Sequence, residues 1–473
     1  VKLSEFLSTV EGELIGGDID VKNICTDSRL VEKNDLFIAL RGERFDGHDF
    51  VLRAQALGAV AVVVEQFIEG CTASQLIVKN STIALGQIAK VIRQQYSGPL
   101  IAVTGSCGKT SVKGLLACIF ARMGATLATS GNFNNQIGVP LTLNKISAEH
   151  KYVIVEVGTS APGEIAYLAD LVKPTIAVVN NIRPAHIGGF GSIEAIALEK
   201  AQLYGALENG QAGAKGTAVI NLDDAFASQF ILQTKAFKQI GFSQQNQTAA
   251  LMSQTFGIDC IYASDIKLLA GGNCSFNLNV AEQSVPVALK VLGRHFVNNA
   301  LAASACALAA GVPVQIIAAG LGDYLGDNGR MQRAAPIVKD QRAQIINDAY
   351  NANPGSMRVA IEFLASQAVP EKILILGDMG ELGQGEAIEH TSIGIYALEM
   401  GITRLFAVGP LSALAVEAFG PRGEVFANLA ELADALLPAL DRNAVILLKG
   451  SRLAGIDALL PIILQKSKGR CPC

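Results

Sequence analysis

The sequence predicts an α/β protein of three domains, divided at about residues 83 and 325, and three observations lead there. A chain of 473 residues with 50% hydrophobic content is too long for one core and supplies enough apolar material for several. Its apolar runs have strand length and alternate with helical patterns, the signature of largely parallel sheets. The segment Val103-Thr104-Gly105-Ser106-Cys107-Gly108-Lys109-Thr110-Ser111 sits where such a run passes into a helix.

Residues 1–83 combine the short strands Asp35–Leu40 and Ala59–Val64 with glycine turns and an alanine-rich helix, giving a small α/β unit. From 84 to 325 the spacing is longer, with buried strands at Leu100–Val103, Tyr152–Val157, Thr175–Val179 and Ala218–Asn221. A stretch rich in Gln, Ser and Thr, Phe242–Gln254, reads as a loop or insertion. After the alanine-rich helix Asn299–Gly311, glycines at 320, 322, 326 and 329 mark a hinge. Residues 326–473 then place strands at Ala343–Asn347, Lys372–Leu376, Leu405–Val408 and Ala444–Leu448, a Rossmann-like, doubly wound pattern. Ligands of such sheets bind at the strand C-termini.

The glycine segment is a phosphate-binding loop of a short form, G-x-x-G-K-T. Gly105, Ser106, Cys107 and Gly108 let backbone N–H groups close around phosphate oxygens, and the helix N-terminus adds positive dipole. Lys109 supplies charge, the Thr110 hydroxyl reaches Mg²⁺, and Ser111 continues the motif into the helix. The central domain is therefore expected to be a P-loop ATPase domain.

A net charge of −4 without long basic runs argues against a nucleic-acid partner. No uninterrupted apolar run reaches the roughly 18 to 20 residues that span a bilayer, and Lys2 and Glu5 interrupt the first ten residues, so no membrane insertion and a cytoplasmic location are expected. The nine cysteines are scattered without zinc spacing, which fits free thiols; Cys471 and Cys473 read as a frayed tail.

Glu156 ends an apolar strand beside the loop, where burial of a carboxylate calls for a cation; a strand-end glutamate reaching solvent is the competing explanation. His186 follows a parallel strand in Asn180-Asn181-Ile182-Arg183-Pro184-Ala185-His186, which puts it on the active edge of the sheet and favours a ligand role. Lys200, on the helix Ser192–Leu207, reads on residue chemistry alone as a solvated helix-face lysine. The amide-rich run Asn132-Phe133-Asn134-Asn135-Gln136 is either a turn or a binding surface for a polar sugar or peptide.

Taken together these segments resemble the Mur ligase superfamily, ATP-dependent amide-forming enzymes of peptidoglycan precursor synthesis. The resemblance spans nearly the whole chain: Thr26-Asp27-Ser28-Arg29, Phe45-Asp46-Gly47-His48, Thr104 to Thr110, Gly131 to Thr142, His186 with Gly189-Phe190-Gly191-Ser192, Gly293-Arg294-His295 with Asn299, Tyr350-Asn351-Ala352-Asn353-Pro354, Leu376-Gly377-Asp378-Met379 and Lys449-Gly450-Ser451-Arg452. Within it, G-N-x-N-N-x-I-G-V-P-L-T and Y-N-A-N-P look like the branch that joins D-alanyl-D-alanine to UDP-MurNAc-tripeptide.

The resemblance implies a ligase using ATP and two Mg²⁺ ions and acting as a monomer. The first domain would bind the UDP substrate through Ser28 and Arg29, and Asn134, Asn135, Tyr350 and Asn353 would contact substrate. Asn299 would meet adenine, Arg330 the phosphates and Asp348 the ribose. Lys109, Glu156, His186 and Lys200 would be catalytic, with Thr110, Glu156, His186 and Lys200 at the metal; here Lys200 matches a lysine that becomes carbamylated, reversing the surface reading. Phe296, in place of a common asparagine, Gln202, in place of an acidic residue, and Thr159-Ser160-Ala161-Pro162 depart from the family pattern.

Overall fold

The computed structural model describes residues 1–43, 45–184, 187–208, 215–269, 271–334 and 342–468. Among them the strands assemble into three sheets, of five, nine and six strands. The first holds β1 (Gly12–Ile15), β2 (Ile24–Cys25), β3 (Leu36–Ile38), β4 (Ala61–Val64) and β5 (Ser74–Val78) in the order β1-β5-β4-β3-β2. Only β1 runs antiparallel to its neighbour.

The second sheet contains β6 (Leu100–Thr104), β7 (Thr126–Ala128), β8 (Tyr152–Glu156), β9 (Ile176–Val179), β10 (Thr217–Asn221), β11 (Lys238–Ser243), β12 (Asp259–Leu268), β13 (Asn273–Val280) and β14 (Gln283–Leu292). Their order is β14-β13-β12-β11-β10-β9-β6-β8-β7, parallel from β7 to β12 with an antiparallel β12–β14 extension. The parallel strands at its centre are buried along their length, as a sheet covered on both faces requires. The helices Lys109–Ala121 and His295–Ala309 pack one face, and Glu164–Val172 and Ile193–Gly205 the other.

The third sheet, β15 (Gln332–Arg333), β16 (Gln344–Asn347), β17 (Glu371–Gly377), β18 (Arg404–Val408), β19 (Gly423–Val425) and β20 (Ala444–Lys449), has the order β15-β16-β20-β17-β18-β19. All but β15 are parallel, with the order reversing between β20 and β17. One apolar cluster runs from the central sheet into this domain through Ile346, Phe363 and Leu374. Tyr152 and Phe120 stack in the same region, ring centroids 4.3 Å apart.

Two expectations are corrected. Phe242–Gln254 is not a loop: Phe242 and Ser243 complete β11, and Asn246–Phe256 is a helix with Ala249 buried and Met252 and Phe256 against the core. Its apolar residues are sparse but share one helical face, so polarity concealed the period. The glycine hinge is narrower than its spacing suggests, because Gly320 and Gly322 lie inside the helix Val314–Asp323. At Gly320 a Cβ would stand 2.6 Å from the Ile119 Cα, so this glycine permits close helix packing. Gly326 and Gly329, with φ of 93° and 69°, supply the left-handed turns between the domains.

Candidate active site

Three adjacent strands bring the site together. The register of β6 places Val103 beside Glu156 of β8 on one side and Thr104 beside Val179 of β9 on the other. The glycine loop, the Glu156 carboxylate and the segment after β9 therefore leave the same sheet edge, at the strand C-termini.

Backbone and amide contacts shape the loop. Ser106 N–H donates to the Asn181 carbonyl at 2.9 Å, Cys107 N–H to Asn181 Oδ1 at 2.9 Å, and Asn180 Nδ2 to the Cys107 carbonyl at 2.9 Å. Gly108 caps the following helix at φ 80°, where a Cβ would lie 2.5 Å from Asn299 Oδ1 and 2.6 Å from Asn180 Nδ2. Glycine is required there by both conformation and space. Asn299 is buried and its Oδ1 accepts from Asn180 Nδ2 at 2.9 Å. Lys109 Nζ donates to the Gly105 carbonyl at 2.8 Å. Burial lowers the Lys109 pKa, with the Glu156 charge pulling the other way.

Glu156 is 1% exposed. Its Oε1 accepts from Asn134 Nδ2 at 2.8 Å, and its backbone N–H donates to Thr129 Oγ1 at 3.0 Å. Oε2 has no hydrogen-bond donor and stands 3.3 Å from Lys113 Nζ, which donates to the Gly131 carbonyl at 2.6 Å. Lys113 thus ties the amide-rich segment to the carboxylate. Asn135 turns its Oδ1 to the N–H groups of Ile137 and Gly138, opening the helix Gly138–Leu143.

The third domain closes the opposite wall. Arg330 Nη2 donates to Thr110 Oγ1 at 2.9 Å, and its guanidinium lies 4.3 Å from the centre of the Tyr350 ring. Asp348 Oδ1 accepts from Met331 N–H at 3.0 Å while Oδ2 accepts from Lys449 Nζ at 2.6 Å. Asn353 caps the helix Pro354–Ala365, and its side chain approaches Cys107 Sγ within 3.7 Å. The result is a cleft of about 620 Å³ that takes in Ser106 through Ser111, Asn134, Asn135, Glu156, Asn299, Arg330, Asp348, Tyr350 and Asn353.

Other expected residues lie apart. Gly105 does not line the cleft, although its carbonyl accepts from Lys109 Nζ, which does. Ser28 and Arg29 belong to the first domain, where Arg29 pairs with Asp27 at 2.7 Å, and they are not part of the cleft wall. Lys200 is 2% exposed, so the solvated-lysine reading fails: the helix Ile193–Gly205 turns it inward. Burial, reinforced by the Lys109 charge, pushes its pKa down to about 7. Its neighbour Glu199 caps the helix Glu164–Val172, accepting from Gly163 and Ile165 N–H at 2.9 and 2.7 Å. His186 lies outside the described residues, as do Cys471 and Cys473, and the seven described cysteines are free.

Sequence reasoning did not assign Lys113, Asn180 or Asn181. Lys113 follows Lys109 by one helical turn, which is a legible signal; the Asn pair after β9 is legible only once that strand is known to neighbour β6. Glu156 fits a hard divalent cation, since Oε2 is buried without a donor and the Thr110 hydroxyl belongs to the same cleft. Among the described residues no three His, Cys, Asp or Glu side chains converge. No described helix is long and apolar enough to cross a membrane.

Three α/β domains, with a glycine loop of the central one facing the third across a cleft, define a P-loop protein whose site is shared between domains. Residues 20–93 match the catalytic domain of the Mur ligase family, 103–307 the Mur ligase middle domain and 329–452 the Mur ligase glutamate ligase domain. The chain belongs to the Mur ligase family. It is 36% identical over 475 residues to the UDP-N-acetylmuramoyl-tripeptide–D-alanyl-D-alanine ligase of Escherichia coli, covering 100% of this chain and 99% of that protein. The enzyme of the same name from Haemophilus influenzae is 33% identical over 99% of this chain and 100% of its own length. The crystal structure of MurF from Acinetobacter baumannii superposes with a TM-score of 0.87 at 33% identity over 98% of each chain. MurF of Thermotoga maritima in complex with ADP, 24% identical, shares the fold with a TM-score of 0.80 over 95% of this chain and 99% of that one.

Proposed function

We propose that this chain is a cytoplasmic, ATP-dependent ligase that joins D-alanyl-D-alanine to UDP-MurNAc-tripeptide, forming the UDP-MurNAc-pentapeptide precursor of peptidoglycan. The observation that carries this reading is the single cleft in which Lys109 and Thr110 meet Arg330 and Asp348, with the amide segment Asn134–Asn135 at its side. In this reading residues 1–83 hold the UDP end through Ser28 and Arg29, 84–325 bind ATP phosphates, and 326–473 bring Arg330 to the phosphates and Asp348 to the ribose. The likeness to the Escherichia coli and Acinetobacter baumannii enzymes over full length supports the choice of substrates.

The terminal carboxylate of the tripeptide attacks the γ-phosphorus of ATP, the bond to the β-phosphate oxygen breaks, and an acyl phosphate and ADP result. The amine of D-alanyl-D-alanine then attacks the acyl carbon, loses a proton, and inorganic phosphate leaves. Phosphorylation is needed because a carboxylate oxygen is a poor leaving group. The chain's part is positioning and charge: Lys109, Arg330 and the N–H groups opening the helix Lys109–Ala121 face the phosphoryl oxygens as negative charge builds, while the Ser106 and Cys107 N–H groups, expected from the sequence to do so, are taken by Asn181. An anion at Lys109 offsets the burial that now disfavours its charged form. Mg²⁺, when bound, neutralises charge on the phosphates. Glu156 and Thr110 would hold it, with His186 and Lys200 as further ligands.

Lys200 suits carbamylation. A buried amine with its pKa near 7 is substantially neutral at physiological pH, and only the neutral amine adds CO₂. The carbamate replaces a cation that would repel Mg²⁺ with an anionic oxygen donor. Tyr350, Asn353, Asn134 and Asn135 frame the space for the acceptor.

The test is phosphate release from ATP and Mg²⁺ with and without each substrate, followed by product mass. Release requiring both substrates, with a pentapeptide product, is expected. Release independent of either substrate would instead indicate a nucleotide switch, and activity with a single amino acid another ligase of the family.

A further inference from the structure

The substrate reading above leaves one strong charge in the cleft without a task. Arg183, in the segment after β9, lines the cleft and is exposed to it. Its backbone is locked to the glycine loop: Arg183 N–H donates to Ser106 Oγ at 2.9 Å, and that hydroxyl donates back to the Arg183 carbonyl at 2.9 Å. Its side chain crosses to the third domain, where a Cβ built at Gly355 would stand 3.4 Å from the Arg183 Cβ. That is ordinary van der Waals separation, so the arginine stem runs directly beside the first turn of the helix Pro354–Ala365.

The other cations around the cleft are engaged among the described residues. Lys449 pairs with Asp348 at 2.6 Å, Lys113 lies 3.3 Å from Glu156, Arg330 donates to Thr110 and Lys109 to the Gly105 carbonyl. The Arg183 guanidinium meets the carbonyl of its own neighbour, Ile182, at 3.2 Å, and no described carboxylate pairs with it. A guanidinium with most of its five donors free, beside a helix N-terminus in a cleft whose other described cations are engaged, is built for a planar anion.

We propose that Arg183 binds a substrate carboxylate, that of the acceptor dipeptide, and so selects a free C-terminal acid. This rests on the ligase reading. The dipeptide carries one negative charge, its carboxylate, and Arg183 stands between the loop where the acyl phosphate forms and the Asn353–Gly355 turn of the third domain. The tripeptide also carries carboxylates and its reacting end enters the same cleft, so the KM for tripeptide is the control that separates the two substrates.

The test compares wild type, Arg183→Ala and Arg183→Lys, each with D-alanyl-D-alanine and with its C-terminal amide, and also measures KM for ATP and for UDP-MurNAc-tripeptide. Wild type should show a KM for the acid about tenfold or more below that for the amide, the scale of a lost charge-assisted hydrogen-bond pair. Arg183→Ala should raise the acid's KM by a similar factor and bring acid and amide together, and Arg183→Lys should fall between, with the KM values of ATP and tripeptide unchanged. Equal use of acid and amide by the wild type, or a preference that survives in Arg183→Ala, would overturn the assignment. So would a defect confined to the KM of ATP or of tripeptide. A wild type that makes no pentapeptide would remove the ligase reading and this one with it, whereas an active wild type without the preference removes this one alone.

Discussion

Replacing Lys113 with methionine probes the link between the buried carboxylate and the cation it is proposed to hold. Lys113 Nζ lies 3.3 Å from Glu156 Oε2, with the two side chains 8% and 2% exposed. At an effective dielectric near 20 that separation corresponds to about 5 kcal/mol of attraction, and removing one member of a buried pair costs about 3–5 kcal/mol because the other charge is stranded. Asn134 still bonds Oε1, so the expected loss is the lower end, about 3 kcal/mol. For a domain of this size that lowers the apparent unfolding midpoint by about 6–12 °C. The assay is thermal unfolding of the full chain at one scan rate, with and without Mg²⁺. The stranded carboxylate should gain more from Mg²⁺ than the paired one, up to about 2.7 kcal/mol at a hundredfold excess over Kd. Adding Glu156→Gln to Lys113→Met should restore stability, since it removes the stranded charge. A midpoint within 2 °C of wild type, equal stabilisation of both proteins by Mg²⁺, or no recovery in the double variant would refute the reasoning.

Further predictions concern the loop and two bases, Lys200 and His295. Gly108→Ala should leave the fold intact but remove ATP binding measured by calorimetry, because φ of 80° and the approach to Asn299 and Asn180 both oppose a Cβ; nucleotide affinity near wild type would contradict this. Lys200→Ala should abolish ligation, with partial rescue by added short carboxylic acids, and wild-type rates would remove Lys200 from the site. In the wild type the CO₂ dependence of activity should steepen as pH falls below about 7, where the buried amine becomes protonated. His295 is half-buried at the edge of the cleft, and desolvation pushes its pKa down from 6.5 to about 4, so the unfolded chain binds a proton there that the native state refuses. Its contribution is present above pH 6.5 and is lost as pH falls towards 4; His295→Gln should flatten stability across that window in denaturant titrations, and an unchanged slope would refute the assignment.

Much of this molecule was legible in its residues. The central strands fall within a residue or so of where apolar runs place them, because a parallel strand covered on both faces must be apolar throughout, and such a run needs no partner to be recognised. The glycine loop was legible for a similar reason: Gly108, Lys109 and Thr110 are contiguous, and their conformational and chemical demands are local. The helix Asn246–Phe256 was not, since its few apolar contacts become meaningful only against β11 and β12. Lys200 shows the same limit at the site. Its helix neighbours suggested solvent, and the packing of the helix Ile193–Gly205 against the central sheet turned it into the interior.

By itself, then, the sequence determined what depends on neighbours in the chain: the class of fold, the loop and the run of family motifs. Tertiary structure decided what depends on residues far apart, such as the 3.3 Å pair of Lys113 with Glu156, the hold of Asn180 and Asn181 on the loop, and Arg330 reaching Thr110 from 220 residues away. Such contacts have no period and no spacing, because the geometry that creates them is the order of strands in a sheet and the packing of one domain on another.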